Sequence, residues 1–189
     1  MDMAEAKVRL RTELRARRDA LVAGLDSAAQ RFAFHAPPTP LKALIERARC
    51  IAGYRPVGSE ADPAALLAFA AEAGKTVALP HVERPSVPMR FLAWSPGEPL
   101  LPGRHGIEQP DLAAAPEVAP DLFLAPLLGF DRRLHRLGQG AGYYDRAFAR
   151  YPDAIRVGIA WHVQECDFVP DDPWDVPLHA VLTEREWIA

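Results

Sequence analysis

The chain has 189 residues, 49% of them hydrophobic and 25% charged, with a net charge of −3 at pH 7. That balance gives a core of useful size and excludes a disordered or strongly basic chain, so neither bulk nucleic-acid nor membrane-surface binding is expected. Two cysteines, Cys50 and Cys166, support neither a disulfide framework nor a metal cluster, and no segment reads as a secretory signal or a membrane span, so a cytoplasmic protein is expected.

Residues 3–25 read as a helix with Leu10, Leu14 and Leu21 on one apolar stripe. Lys7, Arg11, Arg15 and Arg18 fall on an adjacent stripe at three- and four-residue spacing. Like charges so placed repel by a few tenths of a kcal/mol per pair, which a nearby anion would relieve and a solvated basic face would tolerate. The prolines of 35–40 break the chain before a short helix over 41–49. Residues 50–54 read as a buried strand with Cys50 in the core. The turn-rich stretch 55–60 follows at the strand's C-terminal end, where open α/β sheets place their ligands. Glu60 there suits either a substrate contact or the approach to a helix. Asp62 as cap, Pro63 and Gly74 bracket a helix over 63–73.

A strand at 76–79 and another at 89–94 flank a proline-rich stretch that still carries turn signals, so no domain boundary is placed there. Gly103-Arg104-His105-Gly106, running on to Pro110, reads as a constrained surface turn and a candidate binding loop. Strands at 121–126 and 155–161 enclose a glycine-rich loop and a helix over 143–150, and a last short strand covers 180–182. Strands alternating with helices predict one α/β domain spanning 1–189, with a mainly parallel central sheet flanked by helices.

The stretch with the most chemistry is Arg136-Leu137-Gly138-Gln139-Gly140-Ala141-Gly142-Tyr143-Tyr144-Asp145. Glycine at every second position lets the backbone take positive φ and turn successive N–H groups toward an anion, and the following helix adds its positive end. Arg136 supplies a cation for phosphate and Asp145 a hard oxygen ligand for Mg²⁺. Neither the P-loop pattern nor G-x-G-x-x-G fits, so the loop is a phosphate cradle of another kind or a glycine-rich turn. Asp175, in an acidic, proline-rich tail, could join Asp145 around one Mg²⁺ or simply face solvent. His179, beside an apolar strand, reads as a structural histidine.

These residues resemble the 5-formyltetrahydrofolate cyclo-ligase family. Gly129, Phe130, Asp131, Arg136, Leu137, Gly138, Gly140, Gly142, Tyr143, Tyr144 and Asp145 match its loop pattern, and Lys7, Leu10, Arg11 and Arg15 match its N-terminal pattern. The resemblance implies an enzyme that uses ATP and Mg²⁺ to convert 5-formyltetrahydrofolate to 5,10-methenyltetrahydrofolate, with neither nucleic acid nor membrane as partner, acting as a monomer or weak dimer. It implies ATP binding by Lys7, Arg11, Arg136 and the loop from Leu137 through Gly138, Gln139, Gly140, Ala141 and Gly142 to Tyr143. It implies Mg²⁺ on Asp145 and Asp175, and folate contact by Arg11, Tyr54, Val57, Glu60, Tyr143 and Tyr144. Glu60, Arg136 and Tyr144 would be closest to the chemistry. The sequence departs from the pattern at Leu134, where the family has glycine, and at Gln139 and Ala141, where some members carry cations. A small-molecule kinase and a non-catalytic folate- or nucleotide-binding relative are the competing readings.

Overall fold

The computed structural model describes residues 3–84, 87–103 and 106–189. The first helix, α1 (Met3–Gly24), stops one residue short of the sequence reading. Asp26 then caps a short separate helix, α2 (Ser27–Phe32), by accepting the Ala29 N–H at 2.7 Å. Next come α3 (Thr39–Arg47), β1 (Cys50–Ala52) and α4 (Ala64–Glu72). Asp62 accepts the Ala64 N–H at 2.9 Å, and Gly74 follows the helix with φ +74°, so both brackets of α4 do what their residue types favour.

The middle of the chain holds β2 (Thr76–His81), β3 (Arg90–Ala93), β4 (Leu101–Pro102), β5 (Glu108–Gln109) and β6 (Leu122–Pro126). The remainder is β7 (Gly129–Phe130), β8 (Arg136–Leu137), α5 (Tyr143–Arg150), β9 (Ile155–Ile159), β10 (Ala180–Leu182) and β11 (Trp187–Ile188). One seven-stranded sheet runs in the order β11-β10-β9-β6-β1-β2-β3, and the five inner strands are parallel. The edge strands β3 and β11 pair antiparallel. The α/β class and mainly parallel sheet expected from the sequence are therefore present. The hairpins β4–β5 and β7–β8, and edge strand β11, were not legible there.

Strand side chains alternate between two cores. Ile51, Val77, Leu79, Leu122, Leu124 and Val157 face α3 and α4 on one side, whereas Ala52, Ala78, Phe123, Ala125 and Val181 face α5 on the other. The second side pairs small strand residues with aromatics: Phe123 meets Phe91 edge-on at 5.1 Å and Phe148 at 5.4 Å. Asp121 ties the starts of the two central strands together, its carboxylate accepting the Arg49 N–H at 3.0 Å and the Cys50 N–H at 3.0 Å.

Helix α1 lies across one end of this frame, with Leu14 fully buried against Leu137 and Val169. Gly129 is what lets it seat. A Cβ there would stand 2.2 Å from Leu14 Cδ1. Gly129→Ala is expected to destabilise the protein by about 1–3 kcal/mol by overpacking. Thermal unfolding of that variant, with Leu14→Ala and the double variant, checks this: the double should cost less than the sum of the singles.

The chain leaves β1 toward β2 and later returns to β6 on its other side, so the order reverses between β1 and β6. The crevice outside the carboxyl ends of strands at such a reversal is where open sheets bind ligands.

Candidate active site

A cavity of about 1090 Å³ opens at that reversal. Single drug-sized ligands occupy roughly 300–1,000 Å³, so it has room for more than one small molecule. The turn after β1 forms one wall, the end of β6 and the glycine loop the floor, and the polar face of α1 the roof. All the residues that the family resemblance assigned to a site line it, from Lys7 and Arg11 to Asp145 and Asp175. His179 does not; its Nδ1 accepts the Arg156 N–H at 3.0 Å, a structural role.

The glycine loop is shaped by its own backbone. Gly140 has φ +105° and Gly142, the residue before α5, has φ +65°, conformations L side chains rarely take. At Gly138 the reason is space: a Cβ would stand 2.7 Å from Arg136 Nη1. Gly138→Ala is expected to push the guanidinium aside and raise the KM for an anionic ligand held by the loop about tenfold, with the melting temperature nearly unchanged because φ there is ordinary. Steady-state kinetics beside a thermal melt check it.

Helix α1 grips the loop from above. Arg11 Nε donates to the Gly138 carbonyl at 2.8 Å and Arg15 Nη2 to Gln139 Oε1 at 2.7 Å. Gln139 Nε2 in turn donates to Glu60 Oε1 at 3.2 Å. Gln139 is thus served by a cation from α1 and joins the two halves of the site, whereas the Ala141 carbonyl accepts from Arg146 of α5 at 3.1 Å.

Every carboxylate near the loop has a cationic neighbour. Arg136, its side chain only 5% exposed, donates to Asp145 at 2.8 Å and lies over Tyr144 and Phe148 at 5.7 and 5.6 Å. Lys7 bridges Asp172 at 2.6 Å and Asp175 at 2.7 Å. Burial works against the charge on Asp175, but the Lys7 ammonium and the Asp172 N–H outweigh it and hold the carboxyl below its ordinary range. Burial likewise opposes the charge on Lys7, and its two aspartates more than compensate, keeping it protonated.

Three buried donor atoms in this cavity have no hydrogen-bond partner among the described residues: Arg18 Nη1, Arg136 Nε and Tyr144 Oη. Burial, then the nearby Glu60 carboxylate, drives the Tyr144 phenol well above its usual range, so it stays protonated. Unpaired buried donors cost free energy and, gathered in one cavity, point to a ligand rich in acceptor oxygens. Glu60 is held ready beside them, with Oε2 accepting the Val57 N–H at 3.0 Å. Tyr54 contributes ring rather than hydroxyl to the wall, since its O–H donates to the Ala61 carbonyl.

Among the described residues no group of three or more His, Cys, Asp and Glu side chains is placed to hold a metal, and no helix is long and apolar enough to cross a membrane. Asp145 and Asp175 nevertheless line the same cavity, and one or two carboxylates beside substrate phosphates are what Mg²⁺ ordinarily takes. The donor set therefore fits an ion that arrives with a nucleotide. Burial pushes both cysteine thiols up to about 11, so neither is an activated nucleophile.

Several lining residues were not legible in the sequence. Pro80, Val82 and Met89 come from the β2–β3 edge and form an apolar wall. Asp172 and Trp174 come from the tail, Trp174 with 70% of its surface exposed. Ile107 and Gln109 come from the candidate binding loop, whose Arg104 and His105 lie outside the described residues. Leu134 stands where the family pattern has glycine. Leu134 takes the glycine-like φ of +66° itself, donating its N–H to the Asp131 carbonyl at 2.9 Å.

Known proteins resemble this chain in sequence and fold. A family model described as the 5-formyltetrahydrofolate cyclo-ligase family matches residues 3–184. A 5-formyltetrahydrofolate cyclo-ligase of Escherichia coli K12 is 33% identical over 150 residues, 74% of this chain and 82% of that one. The enzyme of that name from Haemophilus influenzae is 36% identical over 98 residues, 49% of this chain and 52% of its own length. The solution structure of Aquifex aeolicus 5,10-methenyltetrahydrofolate synthetase superposes with a TM-score of 0.78 at 28% identity, covering 96% of this chain and 91% of that one. With a family model matched over residues 3–184, a relative 33% identical across most of both chains and a shared fold, the chain belongs to the 5-formyltetrahydrofolate cyclo-ligase family and is a ligase.

Proposed function

We propose that this single-domain chain works in the cytoplasm, as a monomer or weak dimer, converting 5-formyltetrahydrofolate to 5,10-methenyltetrahydrofolate at the expense of ATP. The observation that carries the reading is the convergence of the glycine loop and the unpaired donors of Arg136 and Tyr144 in one cavity beside Glu60. The formyl oxygen attacks the terminal phosphorus of ATP and ADP leaves, giving an iminium phosphate. The folate N10 then attacks the formyl carbon, N10 loses its proton, and the C–O bond breaks to release phosphate.

The protein has little covalent work in this sequence; positioning and charge stabilisation carry it. Arg136 and the N–H groups of residues 138–143 hold the phosphates at the head of α5, with Lys7 and Arg11 adding charge from α1. Glu60, fixed by the Val57 N–H and Gln139, contacts the folate near its formyl group, with Tyr54, Val57 and Tyr143 walling the ring. Tyr144 Oη, protonated and unpaired, donates where the two ligands meet. Asp145 and Asp175 would hold Mg²⁺, which supplies charge neutralisation on the phosphates when bound. The resting ion pairs suit this arrangement: Lys7 would turn to phosphate and leave Asp175 to the metal, while Arg136 would keep Asp145 at Nη2 and offer its unpartnered Nε to phosphate.

Purified protein with Mg²⁺, ATP and 5-formyltetrahydrofolate is expected to build up the methenyl-folate absorbance band while releasing one phosphate per product. A stable phosphorylated folate would favour the kinase reading. A flat trace from folded protein that still binds both ligands would favour the non-catalytic one.

A further inference from the structure

Arg18 sits one helical turn beyond Leu14 on the inward side of α1 and is 4% exposed. Its Nε donates to Ser59 Oγ at 2.9 Å, whereas its Nη1 is buried, lacks a hydrogen-bond partner among the described residues, and belongs to a side chain lining the cavity. The nearby acceptors are already engaged. Glu60 Oε1 takes Gln139 and stands 3.9 Å from Nη1, too far for a hydrogen bond, and Oε2 takes the Val57 N–H. Ser59 Oγ accepts from Arg18 Nε and donates its own hydrogen bond to Asp19 Oδ1, and Trp161 Nε1 donates to the Ser59 carbonyl at 3.0 Å. A guanidinium clamped at one nitrogen and left open at another is preorganised to receive an oxygen.

We infer that Arg18 is a further substrate-contacting residue, whose Nη1 donates to a carbonyl oxygen of the folate head group lying beside Glu60. The inference rests on the proposed folate side of the cavity. 5-Formyltetrahydrofolate offers two carbonyl oxygens close together, one on the ring beside N5 and one on the N5 formyl group. Arg18 and Glu60 set a donor next to an acceptor, which suits a ring edge where a carbonyl neighbours an N–H. Asp19, 3.8 Å from Arg18 Nε and largely exposed, balances the charge from the solvent side and leaves Nη1 to the ligand.

Equilibrium binding tests this without turnover. Titrations of 5-formyltetrahydrofolate, of tetrahydrofolate without the formyl group, and of ATP are made on the unsubstituted protein, Arg18→Met, Arg18→Lys and Ser59→Ala. Arg18→Lys keeps a buried cation if the methionine variant fails to fold, and Ser59→Ala only frees the clamp. Folate affinity is expected to fall about 10- to 100-fold in the Arg18 variants and less in Ser59→Ala, with ATP affinity unchanged. Equal loss with both folates assigns the ring carbonyl; loss confined to the formylated one assigns the formyl oxygen. Unchanged folate affinity, or matching losses for folate and ATP, overturns the inference. Folate binding that depends on Arg18 in a protein without ATP-dependent product would sink the proposed reaction and leave Arg18 standing; no folate binding at all overturns both.

Discussion

Arg136→Ala is expected to lower kcat/KM for the ATP-dependent reaction by about 100- to 1,000-fold, the usual loss when one preorganised donor to developing charge is removed. The position justifies that size. Arg136 leaves β8 directly into the glycine loop, lies over Tyr144 and Phe148, and is held in line by Asp145 at 2.8 Å while its Nε stays free. Lysine is not expected to rescue, because an ammonium has no planar fork to serve Asp145 and a phosphate together. Asp145 keeps access to solvent, its side chain 23% exposed, so the alanine variant should remain folded. Steady-state rates beside a thermal melt decide the matter, and activity within threefold of the unsubstituted protein would remove Arg136 from the phosphate site.

Asp131→Ala is expected to be the costlier change for stability, about 3–5 kcal/mol, since it strips the acceptor from the buried Val169 N–H and from part-buried donors of Arg133 and His135 at once. The side chain is fully buried. Its Oδ1 accepts the N–H groups of Arg133 at 3.0 Å and His135 at 3.1 Å, and its Oδ2 accepts the Val169 N–H at 3.0 Å and the Arg133 guanidinium at 2.8 Å. These bonds close the turn between β7 and β8, and with it the positive φ of Leu134 just before Arg136. A denaturant or thermal melt measures the loss, and a cost below about 1 kcal/mol would show the turn to be held otherwise.

The same carboxylate sets a pH dependence. Burial alone would raise its pKa, but the Val169, Arg133 and His135 donors outweigh burial and hold it below the ordinary 3.8. A folded pKa below the unfolded one means the stabilisation is complete above about pH 4 and is lost as pH falls through the folded value. The stability gap between the unsubstituted protein and Asp131→Ala should therefore stay constant from neutrality to about pH 5 and close in stronger acid.

Much of this molecule is written locally. Asp62, Pro63 and Gly74 bracket α4 by cap chemistry alone, and the strand run of β6 is apolar on both sides because helices cover both faces. Gly138, Gly140 and Gly142 announce their loop because only glycine serves at those φ values and distances. The basic stripe of α1 likewise signals an anion through its own repulsion.

Very short strands and long-range pairing account for the rest. The hairpins β4–β5 and β7–β8 are local, but with two residues per strand they are too short for any period to register. The apolar wall of Pro80, Val82 and Met89 is indistinguishable in sequence from any proline-rich connector until β3 folds back on β2. In sequence Arg18 is one of four cations on the α1 stripe, with nothing to set it apart from Lys7, Arg11 and Arg15. Helical spacing fixes which residues share a face, but only docking of α1 against Gly129 and the 162–164 turn decides which of those cations is buried with an unpartnered N–H. The sequence by itself determined the chemistry available, because residue type and local spacing set charge, backbone freedom and helix faces. Only the tertiary structure decided which groups meet and which are left unpaired, because burial and hydrogen-bond competition depend on residues more than a hundred positions apart.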